Sequence, residues 1–290
     1  PNYEQNPLPP FQLKSIEWLD RGELQQSIRV VRQIGKSEFQ QDYILQFNSS
    51  FLKIATTVDW QETHVLVKAA FPLNLESDYV TYGIPGGAIE RTTRPSTPAE
   101  KAKWEVPALG WADLTSDRID YGVSLISDCK YGYDSQSDRL RLTLLRSPQW
   151  PDPNADKGIH QFTYGIYVHT KTWQAARTVH QTYQLKLPLK VVFLRKITSR
   201  QPQLPPVGKL LDLSAENLIL MAFKSGETGD LILRCYECHG NKAKIALTGD
   251  LDLKIFRATD ILERERAREE DLSQINPWQI ATFKIRLLTD

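Results

Sequence analysis

The sequence predicts an all-β chain: a large β-sandwich over residues 13–200, a smaller one over residues 201–290, and one short helix near 171–183. Three observations lead there. Short alternating runs recur along the chain, and the clearest spans 51–60. There Leu52, Ile54, Thr56, Val58 and Trp60 share one face, with Phe51, Lys53, Ala55, Thr57 and Asp59 on the other. Turn clusters at Gly226–Asp230, His239–Asn241 and Gly249–Asp250 space the later runs as a sandwich requires. A chain of 290 residues also suits two cores better than one.

The elements follow in order. Pro1 to Pro10 holds four prolines among polar residues, so residues 1–12 read as an extended linker. The chain opens on Pro1 rather than Met and is expected to be a piece of a longer protein. Strands are expected at Ser27–Arg32, Asp42–Phe47 and 51–60. Val65, Val67, Ala69 and Phe71 then alternate after the polar turn Gln61–His64, which predicts a hairpin with the preceding strand. From Gly83 to Gly110 the pattern dissolves into glycine, proline and charge, an expected long loop of functional or partner-contact type. Strands resume at Tyr121–Ile126, Leu140–Leu144 and Phe162–Val168. Trp173, Ala176, Val179 and Tyr183 recur at helical steps within 171–183. Pro202, Pro205 and Pro206 break the chain after an expected strand at Val191–Leu194. Further strands are expected at Leu218–Ala222, Leu231–Tyr236, Ile245–Leu247, Leu253–Phe256 and Ile280–Leu288.

Composition excludes several classes. A net charge of +1 gives no broad footprint for nucleic acid or an anionic membrane. No apolar run approaches the roughly 20 residues of a membrane helix. Three cysteines, Cys129, Cys235 and Cys238, make no disulfide framework and fit a cytoplasmic location. Cys235-Tyr-Glu-Cys238 before His239 invites a metal reading. In a strand, positions three apart face opposite sides and no second pair completes four ligands, so two buried apolar thiols are expected and no metal. The five histidines make no ligand-spaced pair. Glu263–Asp271 is too densely charged for a core and reads as solvated surface. No nucleophile elbow, phosphate loop or dinucleotide fingerprint is present. Glycoside hydrolysis needs two carboxyls across a sugar bond, and no spacing singles out such a pair.

Two segments stand out. Ser127–Asp134 packs charge, aromatics and glycine into a connection between a strand ending at Ile126 and one beginning at Leu140. It reads either as a tight turn capped by Asp128 with Lys130 paired at the surface, or as a ligand-facing loop suited to sugar faces and hydroxyls. Arg146–Asp156 is a proline-stiffened loop carrying Trp150 and two carboxylates, cheap to order against a partner.

These segments also carry a resemblance. Tyr121–Gly132, Leu140–Pro148, Pro151–Pro153, Ala155-Asp156, Gly158 and His160–Tyr164 resemble the central signature of family-38 α-mannosidases of the cytosolic and vacuolar type. Val58–Trp60 with Glu62, Lys68–Pro72, Trp104–Pro107 and Trp111–Leu114 fit the same pattern upstream. Ser214–Leu218, Gly229-Asp230 and Leu233–Glu237 resemble the terminal β-domain. The resemblance implies a galactose-mutarotase-like supersandwich and then a smaller sandwich, preceded in the parent enzyme by an α/β catalytic domain and a helical bundle. It implies a retaining hydrolase of α-mannosides whose aspartate nucleophile and zinc ligands lie in that N-terminal domain, with no catalytic residue in this piece. Asp128, Lys130 and Tyr131 are then the substrate-rim candidates. Arg146, Trp150 and Asp152 are the candidates for contact with the other domains, Arg146 through carboxylate pairing. Two other readings compete: an autonomous carbohydrate-binding sandwich, and a self-sufficient epimerase- or lyase-like domain with His and Glu converging on a concave face.

Overall fold

The computed structural model describes residues 7, 9–116, 118–193, 206–227, 229–265 and 271–288. These divide into two compact units between Pro188 and Leu189, with the turn Pro85–Ala88 counted in the second. No helix among the described residues is long and apolar enough to cross a membrane.

The first unit runs β1 (Gln12–Arg21), β2 (Gln25–Ile34), β3 (Ser37–Gln46), β4 (Phe51–Trp60), β5 (Val67–Pro72), β6 (Tyr79–Ile84) and β7 (Gly87–Thr92). A helical turn α1 (Pro98–Lys101) leads to β8 (Val106–Pro107), β9 (Trp111–Thr115), β10 (Gly122–Ser127), β11 (Gly132–Gln136), β12 (Arg139–Leu145), β13 (Gly158–His169) and α2 (Thr178–Lys186). Nine strands form one antiparallel sheet in the order β1-β2-β3-β4-β13-β10-β9-β6-β7. Four form a second in the order β5-β12-β11-β8. The core lies between them: Ile54, Val58, Leu114, Leu125 and Phe162 of the large sheet pack with Val67, Tyr133, Leu140 and Leu142 of the small one. Each large side chain so sealed contributes about 1.5–3 kcal/mol. Trp60, fully buried, also donates its indole N–H to Ser147 Oγ at 2.5 Å, which ties the chain leaving β12 back to β4.

The second unit holds β14 (Leu218–Ser225), β15 (Leu231–Glu237), β16 (Ala243–Lys244), β17 (Leu253–Thr259), β18 (Gln274–Ile275) and β19 (Ile280–Leu287). The sheet β14-β15-β19-β17 packs Leu233, Cys235, Phe283 and Ile285 against Ala243, Ile245 and Ile275 from the β16-β18 ribbon and its flank, a smaller sandwich. Cys235 and Cys238 are both buried and free, and only Cys235 joins the core cluster. Glu237 between them is fully buried, accepting from the amides of His239, Gly240 and Trp278 and from Asn217 Nδ2.

Several expectations need correction. β4 and β5 make no hairpin, because β4 pairs with β3 and β13 while β5 crosses to the other sheet and pairs with β12. The long loop at 83–110 is instead largely structured: β6 and β7 flank a tight turn whose Gly86 takes φ +72°, and α1 is closed by a capping box between Thr97 and Glu100. The helix starts at Thr178, not Lys171, because Arg177 sits at φ 58° and breaks any earlier helical run. Trp173 owes its burial to Trp111, with ring centroids 4.9 Å apart, rather than to a helix face. Val191–Phe193 are exposed and have no regular structure, and Leu194 lies outside the described residues, as do Pro202 and Pro205. Ile245–Leu247 form no strand; Ile245 merely follows the two-residue β16. Of the charged run, Arg264 and Glu265 are exposed and residues 266–270 lie outside the described set.

Candidate functional site

The connection after β10 does not lead straight to a strand at Leu140. β11 intervenes and turns back at Ser137-Asp138 to pair antiparallel with β12, Tyr133 opposite Leu142. The start of β11 and the end of β12 therefore lie at one end of the small sheet. β5 begins there too, and β8 pairs with β11 through Pro107 opposite Gly132. Across this end runs a groove of about 600 Å³ lined by His64, Trp104, Glu105, Tyr131, Arg146 and Pro148 among others. That volume is within the usual range for a small-ligand site.

Each wall has a local cause. Gly132 lets Glu105 approach the sheet, since a Cβ there would lie 2.5 Å from its Oε1. Glu105 accepts from Lys68 Nζ at 2.6 Å; Lys68 also pairs with Asp134, whose other oxygen accepts from Arg141 Nε at 2.5 Å. Asp134 is 5% exposed and Lys68 8%, so this lattice of charge is stabilising only because each member is partnered. His64 takes φ 58° and donates its amide to Ser147 O at 3.0 Å. Asp156 Oδ2 accepts from the amides of Arg146 and Ser147 at 2.9 and 2.8 Å. Burial works to raise the Asp156 pKa, but these amides, with His160 and Lys130 nearby, outweigh it and hold the carboxyl below its usual value.

Of the rim candidates, only Tyr131 reaches this groove; it is 48% exposed, with Lys186 Nζ 5.8 Å from its ring centroid. Desolvation lowers the Lys186 pKa, with Asp128 and Cys129 pulling the other way. Asp128 instead clamps the turn to β13, donating its amide to Thr163 O at 3.0 Å and accepting from Thr163 N at 2.8 Å. Lys130 lies with Nζ 4.4 Å above the Phe162 ring centroid. Of the contact candidates, Arg146 lines the groove beside Tyr131, and its guanidinium has no carboxylate partner among the described residues. Trp150, 85% exposed, follows the loop outward, and Asp152 closes its own turn by accepting from Asn154 N at 2.8 Å. His64, Trp104 and Glu105 were not candidates from sequence. Trp104 and Glu105 belong to a motif that carried the resemblance, but nothing local links them to Tyr131.

The groove's lining suits recognition more than acid–base chemistry. Aromatic faces and hydrogen-bond donors line it, while Glu105, its one carboxylate among the described residues, is already bound to Lys68, so no two carboxyls face each other across it. Among the described residues no group of three or more His, Cys, Asp or Glu is placed to hold a metal ion. A separate polar constellation lies under α2. Asp113 accepts from Ser124 Oγ and Thr115 Oγ1, both at 2.6 Å, and lies 2.8 Å from His169 Nε2, while Ser124 Oγ is 2.8 Å from Thr178 Oγ1. It is sealed, and His169 faces Asp113 rather than Ser124, so it is no nucleophilic triad.

The fold is that of the β region of an α-mannosidase. An alpha-mannosidase from Enterococcus faecalis V583 superposes with a TM-score of 0.81 over 94% of this chain and 35% of that one, at 15% identity. Residues 1–154 match the glycosyl hydrolases family 38 C-terminal domain, and residues 217–283 match the family's C-terminal beta sandwich domain. The chain belongs to glycosyl hydrolase family 38, as part of its C-terminal region. It is 32% identical to Alpha-mannosidase 2C1 of Mus musculus over 79% of this chain and 22% of that protein. It is 31% identical to Alpha-mannosidase G of Dictyostelium discoideum over 86% of this chain and 24% of that protein. The chain thus spans about a quarter of the length of the relatives it matches.

Proposed function

We propose that this chain is the non-catalytic β region of a retaining α-mannosidase, supporting a preceding catalytic domain and lending the Tyr131–Arg146 groove to the rim of its mannoside cleft. One observation carries the reading. Two segments far apart in sequence converge on a groove with aromatic and guanidinium walls whose one carboxylate among the described residues is already paired. The nucleophile and zinc belong, in this reading, to the preceding domain. Arg146, whose guanidinium has no carboxylate partner among the described residues, and the outward Trp150 are offered to that domain or to the helical bundle. The three free cysteines support a reducing, cytoplasmic setting.

The test is hydrolysis of an aryl α-mannoside with zinc added. The purified 290-residue chain is expected to show no turnover, while the parent polypeptide carrying it turns over. Zinc-dependent hydrolysis by the chain alone would overturn the reading.

A further inference from the structure

Inside the first unit, a pocket of about 260 Å³ lies where β5, an edge strand of the small sheet, meets β2, β3 and β4 of the large one. Its walls are rings and aliphatic chains: Phe39, Phe71 and Tyr164 with Ile54, Val67 and Leu144. Phe11, just ahead of β1, meets Phe39 edge to face with ring centroids 5.3 Å apart, and Phe71 meets Tyr164 in the same manner at 6.3 Å.

One cation in this wall is uncompensated. Lys68 is bound to Glu105 and Asp134. Arg32 has no carboxylate partner among the described residues, because its cross-strand neighbours are Leu13 and Phe39. Among those residues only its Nη1 is engaged, donating to Gln41 Oε1 at 2.9 Å and to Tyr43 OH at 3.4 Å. Gln41 is held in turn, its Nε2 donating to Tyr164 OH at 2.8 Å. Gln41 and Tyr164 are both buried, so the guanidinium is fixed from below by neutral groups that leave its charge unmet. Its Nε and Nη2 make no hydrogen bond with a described residue, and neither is sealed from solvent. The same sheet shows what that edge binds. Three residues earlier, on the opposite face, Arg29 grips Asp42 through Nε and Nη2 at 2.7 and 2.8 Å, the bidentate fork that matches a carboxylate. Arg32 brings the same edge to a wall of aromatic rings.

We propose that this pocket binds a small organic monocarboxylate with an apolar, ring-sized body, its carboxylate on the Nε–Nη2 edge of Arg32 and its ring among Phe39, Phe71 and Tyr164. The volume lies just under the usual range for drug-sized ligands, which limits the occupant to about the size of benzoate. Acetate or phosphate meets the guanidinium but leaves the aromatic wall unused, and a neutral ring leaves the charge unmet. The site goes beyond the reading of the Tyr131 groove as a cleft rim and does not depend on it.

The experiment titrates the ¹⁵N-labelled 290-residue chain near neutral pH with sodium benzoate, benzyl alcohol, acetate and inorganic phosphate, following the amide signals of β2, β3 and β5. Benzoate is expected to saturate those signals roughly tenfold or more tightly than benzyl alcohol or acetate. Arg32→Lys, which keeps the charge and removes the fork, should weaken benzoate about tenfold while the spectrum stays native. Ala69→Leu, which fills the pocket from β5, should abolish benzoate binding. No saturable benzoate binding, equal affinity for benzoate and benzyl alcohol, or benzoate binding indifferent to both variants would each overturn the site. Phosphate binding as tight as that of benzoate would overturn it too, marking a simple anion contact. The comparison of benzoate with benzyl alcohol uses the unaltered chain and so decides the matter even where a variant fails to fold.

Discussion

Replacing Asp113 by alanine is the sharpest probe of how α2 is held to the large sheet. The carboxylate is 1% exposed and serves Thr115, Ser124 and His169 at once. Ser124, fully buried, retains Thr178 as a partner after the change, and Thr115 has access to water, but His169 Nε2 loses its one close acceptor among the described residues. An orphaned buried donor costs about 1–3 kcal/mol, and breaking a buried charged network about 3–5 kcal/mol. Asp113→Ala should therefore destabilise the first unit by about 3–5 kcal/mol. With a slope of roughly 2–3 kcal/mol/M, its urea midpoint should fall by roughly 1–2.5 M. Asp113→Asn keeps one carbonyl oxygen where Ser124 and His169 meet, so it should cost less than half as much. The assay is urea unfolding followed by tryptophan fluorescence, since Trp111 and Trp173 stack beside this cluster. A midpoint shift below about 0.5 M for the alanine variant, or equal loss for alanine and asparagine, would refute the reasoning.

In the second unit, Glu237→Ala leaves the amides of His239, Gly240 and Trp278 without this acceptor and Asn217 Nδ2 with only its 3.5 Å contact to Asn241 O, and should cost about 1–3 kcal/mol, read as a lower unfolding midpoint of the second unit. Thiol titration near pH 8 should find one reactive cysteine, Cys129, and that one slow because burial pushes it to about 11; three should react after denaturation. Burial raises Cys235, Cys238 and Tyr82 to about 12, so their folded values lie above their unfolded ones. Their contribution to stability is whole below about pH 9 and is lost as pH climbs toward 12, so unfolding free energy should fall steadily across that window.

The strands most legible in the sequence are those with one face in the core. β4 alternates because Ile54, Thr56, Val58 and Trp60 are buried while its other face is only partly covered. β1 gave no such signal, since it is exposed on both faces and its register with β2 shifts twice. β11 was hidden for a different reason. Gly132-Tyr-Asp-Ser-Gln136 reads as polar loop, yet Asp134 is buried there through Lys68 and Arg141, partners 66 and 7 residues away. With β12 alone between them, the two loops would lie at opposite ends of one strand, about 20 Å apart. The intervening strand brings them together, and only pairing between distant segments could reveal that. The helix was misplaced because Trp173 has helical spacing to Val179 but packs on Trp111 from an irregular turn. The family was legible because its motifs are short contiguous segments in a fixed order, whereas the groove is made by non-local pairing of β5, β12, β11 and β8.

The central claim is that this region reaches the mannoside through Tyr131, while the neighbouring Asp128 serves only to hold the turn. The most direct measurement compares kcat/KM for an aryl α-mannoside in the parent enzyme carrying Tyr131→Ala or Asp128→Ala, alongside the melting temperature of each. Tyr131→Ala should lower kcat/KM about tenfold or more, a loss of about 1.4 kcal/mol in transition-state stabilisation, with little change in melting temperature. Asp128→Ala, which frees Thr163 N, should melt earlier by several degrees. Wild-type kinetics in Tyr131→Ala would contradict the account and leave the groove a structural seam.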